Sequence, residues 1–254
     1  MYQSTASIYR SVQHASELSD AHCHLNLFPN PEAVVKEAVA HGMRLILATG
    51  GCAKDNLQVA ALSKGEIVFG IVGIAPDFAL KEADSIDDLK ALVKGSGKII
   101  GIGEIGLDYK VAKSDEEKGI QADAFERQIR IANDLEIPIV VHSRGALKET
   151  IHILDRHHVR RAMFHFFEGN GKEAKELEER GYLMSVPPVA NRARKEAIRE
   201  IDIKNVVVET DSPVVGKTPM DVAKALEMIS KIKGIPQGEL AQITTDNLRE
   251  FFYI

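Results

Sequence analysis

The sequence of 254 residues contains no tryptophan, only two cysteines and few aromatic side chains, which make up 6% of it. Two cysteines, Cys23 and Cys52, cannot build a disulfide scaffold and are typical of a reducing compartment. No apolar run approaches the roughly 20 residues that a membrane-spanning helix requires. Residues 1–19 also lack the basic and apolar regions of a secretory signal. These absences predict a cytoplasmic protein that does not enter a membrane.

Positive charge is scarce as well, because 32 Lys and Arg stand against 37 Asp and Glu and leave a formal net charge of -5. A protein that coats nucleic acid is normally basic, so this balance argues against that class. It does not exclude an enzyme that meets a polyanion through bound metal ions and a few local cations. Part of the negative charge belongs to Glu104 and Asp211, which bound dications would offset.

What the sequence does contain is a repeated alternation of β-rich and amphipathic helical segments. The predicted strands are 20–25, 43–48, 67–75, 99–104, 138–142, 162–167, 182–186 and 205–210. The predicted helices are 31–41, 56–63, 86–94, 117–135, 146–157, 171–180, 193–201, 220–233 and a last one at 242–254. This alternation predicts a parallel α/β protein, and both a doubly wound sheet and a closed barrel satisfy it.

The number of strands and the chain length favour the closed barrel, a (β/α)8 TIM barrel. No linker or shift in composition divides the chain. We therefore expect a single barrel domain at 20–254, preceded by an N-terminal extension at 1–19.

The first predicted strand carries the sequence Asp20-Ala21-His22-Cys23-His24. Side chains alternate along a strand, so His22 and His24 share a face with Asp20 while Cys23 points the other way. Two imidazoles and a carboxylate suit a divalent metal such as Zn or Mn. Two hydrogen-bonded histidines in a half-buried strand would give the same pattern. Cys23 is expected to pack against the helical layer.

Four later strands also end in metal-binding residue types, namely Glu104, His142, His165 and Asp211. The carboxyl ends of barrel strands share one rim, so we expect these side chains to converge with the two histidines of the first strand. Together they exceed the three protein ligands that one catalytic zinc usually takes, which predicts two ions with Glu104 between them. Taken alone, Asp211 could instead cap a helix.

Two of these residues are candidates for catalysis, Glu104 as a bridging ligand and Asp211 as the base that takes a proton from activated water. Arg144 suits a phosphate oxygen, although a salt bridge to a neighbouring acid is an equal alternative. Tyr109 suits stacking on a base, and packing at the rim is as good an interpretation. Glu209, like Asp20, suits either the orientation of a ligating histidine or a salt link inside the barrel.

Basic residues also follow the seventh predicted strand, where they alternate with Glu196 and Glu200. They are Arg192, Arg194, Lys195 and Arg199. Such a cluster can hold a nucleic-acid backbone, but mixed charges on a helix more often form a solvated face. Lys217, in the loop after the eighth strand, is a similar candidate.

Five motifs, in this order, resemble the TatD-type metal-dependent deoxyribonucleases, which are amidohydrolase-like barrels. They are Asp-x-His-x-His at 20–24, Gly-Glu-Ile-Gly-Leu-Asp-Tyr at 103–109, Val-His-Ser-Arg at 141–144, His-x-Phe-x-Gly at 165–169 and Glu-Thr-Asp-Ser-Pro at 209–213. The resemblance implies that His22 and His24 bind a first metal ion with Asp211 beside it. It implies further that His142 and His165 bind a second ion, with Glu104 bridging the two.

The resemblance also implies the cofactors and the substrate: two divalent ions (Mg, Mn or Zn), and DNA cleaved as a single strand or at frayed 3′ ends. An amide or ester hydrolase with the same metal core is the alternative, acting for example on an aminoacyl-tRNA ester or a small cyclic amide. A metal-free, partner-binding barrel is disfavoured by the complete ligand set. Nothing in the sequence indicates an obligate protein partner.

The sequence departs from the family in three places. The 19 residues before Asp20 are longer than the usual start. Residues 185–189 replace the usual turn after the seventh strand, and the loop after Pro213 is short. We expect these departures to affect substrate contacts rather than metal binding.

Overall fold

The computed structural model describes residues 17–254, so most of the predicted extension at 1–19 lies outside the described residues. Eight strands form one sheet in the order of the sequence. They are β1 (Leu18–Cys23), β2 (Met43–Thr49), β3 (Val68–Val72), β4 (Ile99–Asp108), β5 (Ile139–Arg144), β6 (Ala162–Phe164), β7 (Leu183–Val186) and β8 (Val206–Val208). This topology confirms the predicted (β/α)8 fold class.

Helices follow the strands, as predicted for the fold, and the described part of the chain contains one more helix than the sequence predicted. They are α1 (Pro31–Ala40), α2 (Ala53–Leu62), α3 (Pro76–Glu82), α4 (Leu89–Lys94), α5 (Asp115–Leu135), α6 (Leu147–Arg156), α7 (Gly171–Glu179), α8 (Arg192–Glu200), α9 (Val222–Lys233) and α10 (Gln237–Phe252). Among residues 17–254, none of these helices has the length and apolar character needed to cross a bilayer.

Local sequence signals explain several helix boundaries. The Asn30 side chain accepts a hydrogen bond from the Ala33 N–H, and Pro31 occupies the first helical position of α1. Ser114 and Glu117 form a capping box that starts α5. At the other end of a helix, Gly181 has a φ of 72°, which a residue without Cβ adopts easily.

The chain groups into two compact units. The first joins the segment up to Leu47 with Phe166–Ile254, and the second is Ala48–His165. In the first unit β7 and β8 pair in parallel, and a parallel bridge joins Cys23 to Ser212. In the second unit β4 pairs in parallel with both β3 and β5.

Three details differ from the expected elements. Helix α3, which starts at Pro76, was not predicted, because the sequence pattern assigned this segment to the loop between a strand that ends at residue 75 and a helix that begins at residue 86. Strand β4 continues past Glu104 to Asp108, because its pairing with β5 extends to the partners Asp108 and Arg144. Strand β6 ends at Phe164, which leaves His165 just beyond it.

Candidate metal centre

In the first unit, the three predicted ligands His22, His24 and Asp211 converge, and their ligand atoms all lie within 4.8 Å of one another. The Asp211 Oδ1 atom is 3.2 Å from His24 Nε2 and 3.8 Å from His22 Nε2. The two Nε2 atoms are 3.4 Å apart. We call these residues the β1–β8 triad. As predicted from strand alternation, both imidazoles turn to the same side.

Asp20 hydrogen-bonds to the two backbone segments that carry this triad, at His22 and at Thr210. Its buried carboxylate accepts hydrogen bonds from the His22 N–H at 3.2 Å and from the Thr210 N–H at 2.9 Å. The Thr210 hydroxyl donates to it as well, at 2.5 Å. Burial raises the pKa of Asp20 well above its usual value, although the bonds from Thr210 and His22 act against this. Asp20 therefore contacts the backbone around the ligands, which is closer to the predicted orientation of a ligating histidine than to a salt link.

The backbone at Asp211 excludes the alternative of a helix cap. Asp211 has a φ of 51°, in the left-handed region that few residues other than glycine adopt. Its N–H donates to the His22 carbonyl at 2.9 Å. The next helical segment of the described chain begins only at Pro219. The side chain is thereby held beside the two histidines.

In the second unit, Glu104, His142 and His165 form a corresponding cluster, again with all ligand atoms within 4.8 Å. The Glu104 Oε1 atom is 2.6 Å from His142 Nδ1 and 3.1 Å from His165 Nε2. Burial raises the pKa of Glu104, but the two imidazoles outweigh it and hold this pKa well below the usual value. We call these residues the β4–β6 triad.

Asp108 is a site residue to which the sequence analysis gave no role. Its Oδ2 atom is 3.0 Å from His142 Nε2 and 2.7 Å from Arg144 Nη2. Burial lowers the pKa of His142, but hydrogen bonds to Asp108 and Glu104 outweigh it and raise this pKa to about 9. The pKa of Asp108 is held far below its usual value, since the bonds from His142 and Arg144 overcome the effect of burial. A signal existed in the sequence, because positions 104 and 108 share one face of a strand.

The donor chemistry of each triad fits a divalent cation. Two imidazole nitrogens and one carboxylate oxygen within 4.8 Å are a set typical of Zn and Mn sites. The structure thus collects the six predicted ligands into two groups of three.

Comparison with known proteins agrees with this chemistry. Residues 19–253 match the family model described as TatD related DNase. The chain belongs to this family. It is 27% identical to the human protein named Deoxyribonuclease TATDN3, over 92% of this chain and 94% of that one. It is 29% identical to YcfH of Escherichia coli K12, named as a metal-dependent hydrolase, over 93% and 96% of the two chains.

Among solved structures, the TatD homologue YJJV of Escherichia coli K12 superposes with a TM-score of 0.85 at 24% identity. The match covers 93% of this chain and 98% of that one. The predicted fold and family are therefore confirmed. As a TatD-family member, the chain is a metal-dependent hydrolase, an enzyme that acts on ester bonds.

The structure places the predicted substrate residues of this TatD-family chain as follows. Arg144 is ion-paired with Asp108, which is the alternative that the sequence left open, and 44% of its side chain is exposed. Tyr109 is half-buried, and Lys118 Nζ lies 5.3 Å from the centre of its ring. A role of either side chain in substrate binding stays a prediction.

The remaining candidates lie outside the two triads, although a carboxylate oxygen of Glu209 is within 4.8 Å of a ring nitrogen of His22. Glu209 Oε1 accepts a hydrogen bond from the Phe166 N–H at 2.7 Å. Cys23 is buried with its Sγ 3.4 Å from the Ser212 hydroxyl oxygen, and it lies outside both triads. Arg194 is only 2% exposed and donates to the carbonyls of Phe167 and Val189. Arg194 therefore does not lie on a solvated face, and its guanidinium is not exposed for contact with nucleic acid. For this residue, both interpretations of the basic cluster in α8 are wrong.

Proposed function

We propose that this TatD-family chain is a deoxyribonuclease that binds two divalent cations (Mg, Mn or Zn), one in each triad. The observation that carries the proposal is the presence of two triads, each with two imidazoles and one carboxylate. A single catalytic ion usually takes three protein ligands, so six ligands in two groups of three favour two ions. Glu104 as a bridge between them stays a prediction.

Bound divalent ions would supply Lewis-acid chemistry, since they lower the pKa of water and offset charge that develops on a phosphoryl oxygen. The chain's own residues supply the proton transfer. Asp211 is the proposed base, because its carboxylate lies beside the ligating nitrogens and is 11% exposed. The histidines of the β1–β8 triad would hold a metal ion next to this carboxylate, which its own backbone places beside them.

DNA is the proposed substrate, cleaved from the 3′ end of a single strand. The name of the human relative, Deoxyribonuclease TATDN3, supports this choice. Tyr109, the residue that follows β4, is the proposed stacking surface for a base. The exposed part of the Arg144 guanidinium is the proposed contact for a phosphate oxygen.

A nuclease assay tests the proposal. The wild-type enzyme is incubated with 3′-labelled and 5′-labelled single-stranded DNA, with EDTA and with added Mg, Mn or Zn. We expect metal-dependent release of labelled mononucleotide from the 3′-labelled strand first, and no release in EDTA. No cleavage with any metal, together with hydrolysis of an aminoacyl ester or a cyclic amide, would favour the alternative function.

Two further expectations belong to this proposal. Both cysteines are free, which supports the predicted reducing, cytoplasmic compartment. The division into an extension at 1–19 and a barrel at 20–254 stays a prediction.

A further inference from the structure

We propose that Asp108 is a positioning residue that fixes His142 so that Nδ1, and not Nε2, is the atom that binds the metal ion. The inference rests on the proposed metal binding by the β4–β6 triad. It assigns to Asp108 and Arg144 a joint role in setting the metal affinity of that triad.

The geometry of the His142 ring is the first step. Its Nε2 atom lies 3.0 Å from Asp108 Oδ2, on a carboxylate that is fully buried. Its Nδ1 atom lies 2.6 Å from Glu104 Oε1 and 3.4 Å from His165 Nε2. One ring nitrogen therefore faces the two other ligands, and the opposite nitrogen faces Asp108. A carboxylate on the far nitrogen keeps the proton there, which leaves the near nitrogen free to bind a metal.

The carboxylate of Asp108 is itself held rigidly, which a positioning role requires. Its Oδ1 atom accepts hydrogen bonds from the N–H groups of Lys110 at 2.8 Å and Val111 at 3.1 Å. The N–H of Asp108 donates to the Gln121 side chain at 2.9 Å. These bonds orient Oδ2 toward the imidazole, so that rotation of His142 would break a partly buried, charge-assisted hydrogen bond.

Arg144 completes the arrangement. Its Nη2 atom is 2.7 Å from the same Oδ2 atom that faces His142. A buried carboxylate is held more firmly when a fixed positive charge forms a charge-assisted hydrogen bond with it. Arg144 supplies that charge from the strand that also carries His142, two positions away. The ion pair thus holds Oδ2 in the position from which it faces His142 Nε2.

The decisive experiment measures metal affinity in the variant Asp108→Asn. Wild type and variant are stripped of metal and titrated with Co²⁺ or Zn²⁺, by calorimetry and by the visible absorption of Co²⁺. We expect the affinity for one of two bound ions to fall about 10–100-fold, with the other unchanged. The matched control is Asp134→Asn, which removes an exposed carboxylate paired with Lys90 and is expected to change neither affinity.

Two outcomes distinguish this inference from the proposed function. If the wild type binds two ions and the Asp108→Asn variant binds both with unchanged affinity, the inference is overturned and the proposed function stands. Wild type that binds no divalent ion would overturn the proposed function and the inference with it.

A second measurement reads its result from the wild type itself, and a variant serves only to assign the signals. Histidine is labelled with ¹⁵N, and the Zn²⁺-loaded wild type is studied by NMR, with His142→Gln used only to assign its signals. We expect the His142 resonances to show a proton on Nε2 and metal on Nδ1. The reverse arrangement contradicts the role assigned to Asp108.

Discussion

Asp20 accepts two hydrogen bonds from Thr210, one from its N–H at 2.9 Å and one from its hydroxyl at 2.5 Å, although 190 positions separate them. Thr210 directly precedes Asp211, so its hydrogen bonds to Asp20 hold the backbone next to the proposed base. Replacement of Thr210 by valine keeps the shape of the side chain and removes the hydroxyl. Because a buried acceptor then lacks a donor, we expect the free energy of unfolding to fall by about 1–3 kcal/mol, measured by urea denaturation.

Thr244 offers a matched control for this prediction. Its buried hydroxyl donates to the Leu240 carbonyl within helix α10, at 2.8 Å. That carbonyl also belongs to the helical backbone, and such local bonds add little stability. Thr244→Val is expected to cost less than Thr210→Val. Equal costs for the two variants would argue against a special role of the Asp20–Thr210 pair.

The second prediction concerns the β4–β6 triad. Glu104→Gln and His142→Ala each remove a proposed metal ligand. Loss of a residue that only supports a ligand costs 10–100-fold, so we expect these variants to lose more than about 100-fold in metal-dependent turnover. The exposed Glu116 of the same unit provides the control Glu116→Gln, which should retain full activity. Undiminished turnover in Glu104→Gln or His142→Ala would disprove the assignment.

The third prediction follows from the pKa of His142 in the metal-free protein, which is raised from 6.5 to about 9. Between these values the folded chain binds more protons than the unfolded chain, so stability is present below about pH 6.5 and is lost as the pH rises toward 9. We expect the Tm of EDTA-treated wild type to fall over this range relative to His142→Gln. A constant difference in Tm between the two proteins across the range would contradict the raised pKa.

Metal binding reverses the sign of this dependence. A cation needs a deprotonated imidazole, so the affinity of the β4–β6 triad should rise as the pH increases toward 9. Titration of the metal-free protein with Zn²⁺ in buffers of different ionisation enthalpy measures the protons released. We expect release of about one proton from this triad near pH 7.5. An affinity that does not change with pH would show that His142 is already neutral in the metal-free chain.

The strands and the convergence of the six candidate ligands could be predicted from the sequence, because both follow from simple rules of strand geometry. Strand alternation places His22 and His24 on one face, and parallel strands bring their carboxyl ends to the same edge. The roles of Asp108 and Arg194 could not be predicted in this way. Asp108 contacts the Nε2 atom of an imidazole, and Arg194 contacts two backbone carbonyls. These contacts exist only after segments distant in the sequence have packed together. A helix of mixed charge gives no indication that one arginine turns inward.

The last prediction tests Arg194, the arginine of α8 that turns inward. Arg194 donates to the Phe167 carbonyl through Nε at 3.2 Å and to the Val189 carbonyl through Nη1 at 2.7 Å. It therefore ties the segment after β6 to the loop after β7. Arg194→Met retains most of the apolar stem but removes both bonds. We expect it to lower the free energy of unfolding by about 1.5–3 kcal/mol, the range for hydrogen bonds to charged groups.

Arg192, on the exposed side of the same helix, is the matched control. Its guanidinium pairs with Glu196 at 3.0 Å and 94% of its side chain is exposed, so Arg192→Met should change stability by less than about 0.5 kcal/mol. If α8 binds DNA, Arg192→Met will raise the KM for DNA and weaken its dependence on salt, because only an exposed cation can release counterions from the phosphate backbone. A loss of stability in Arg192→Met as large as that in Arg194→Met would contradict the structural distinction between the two arginines.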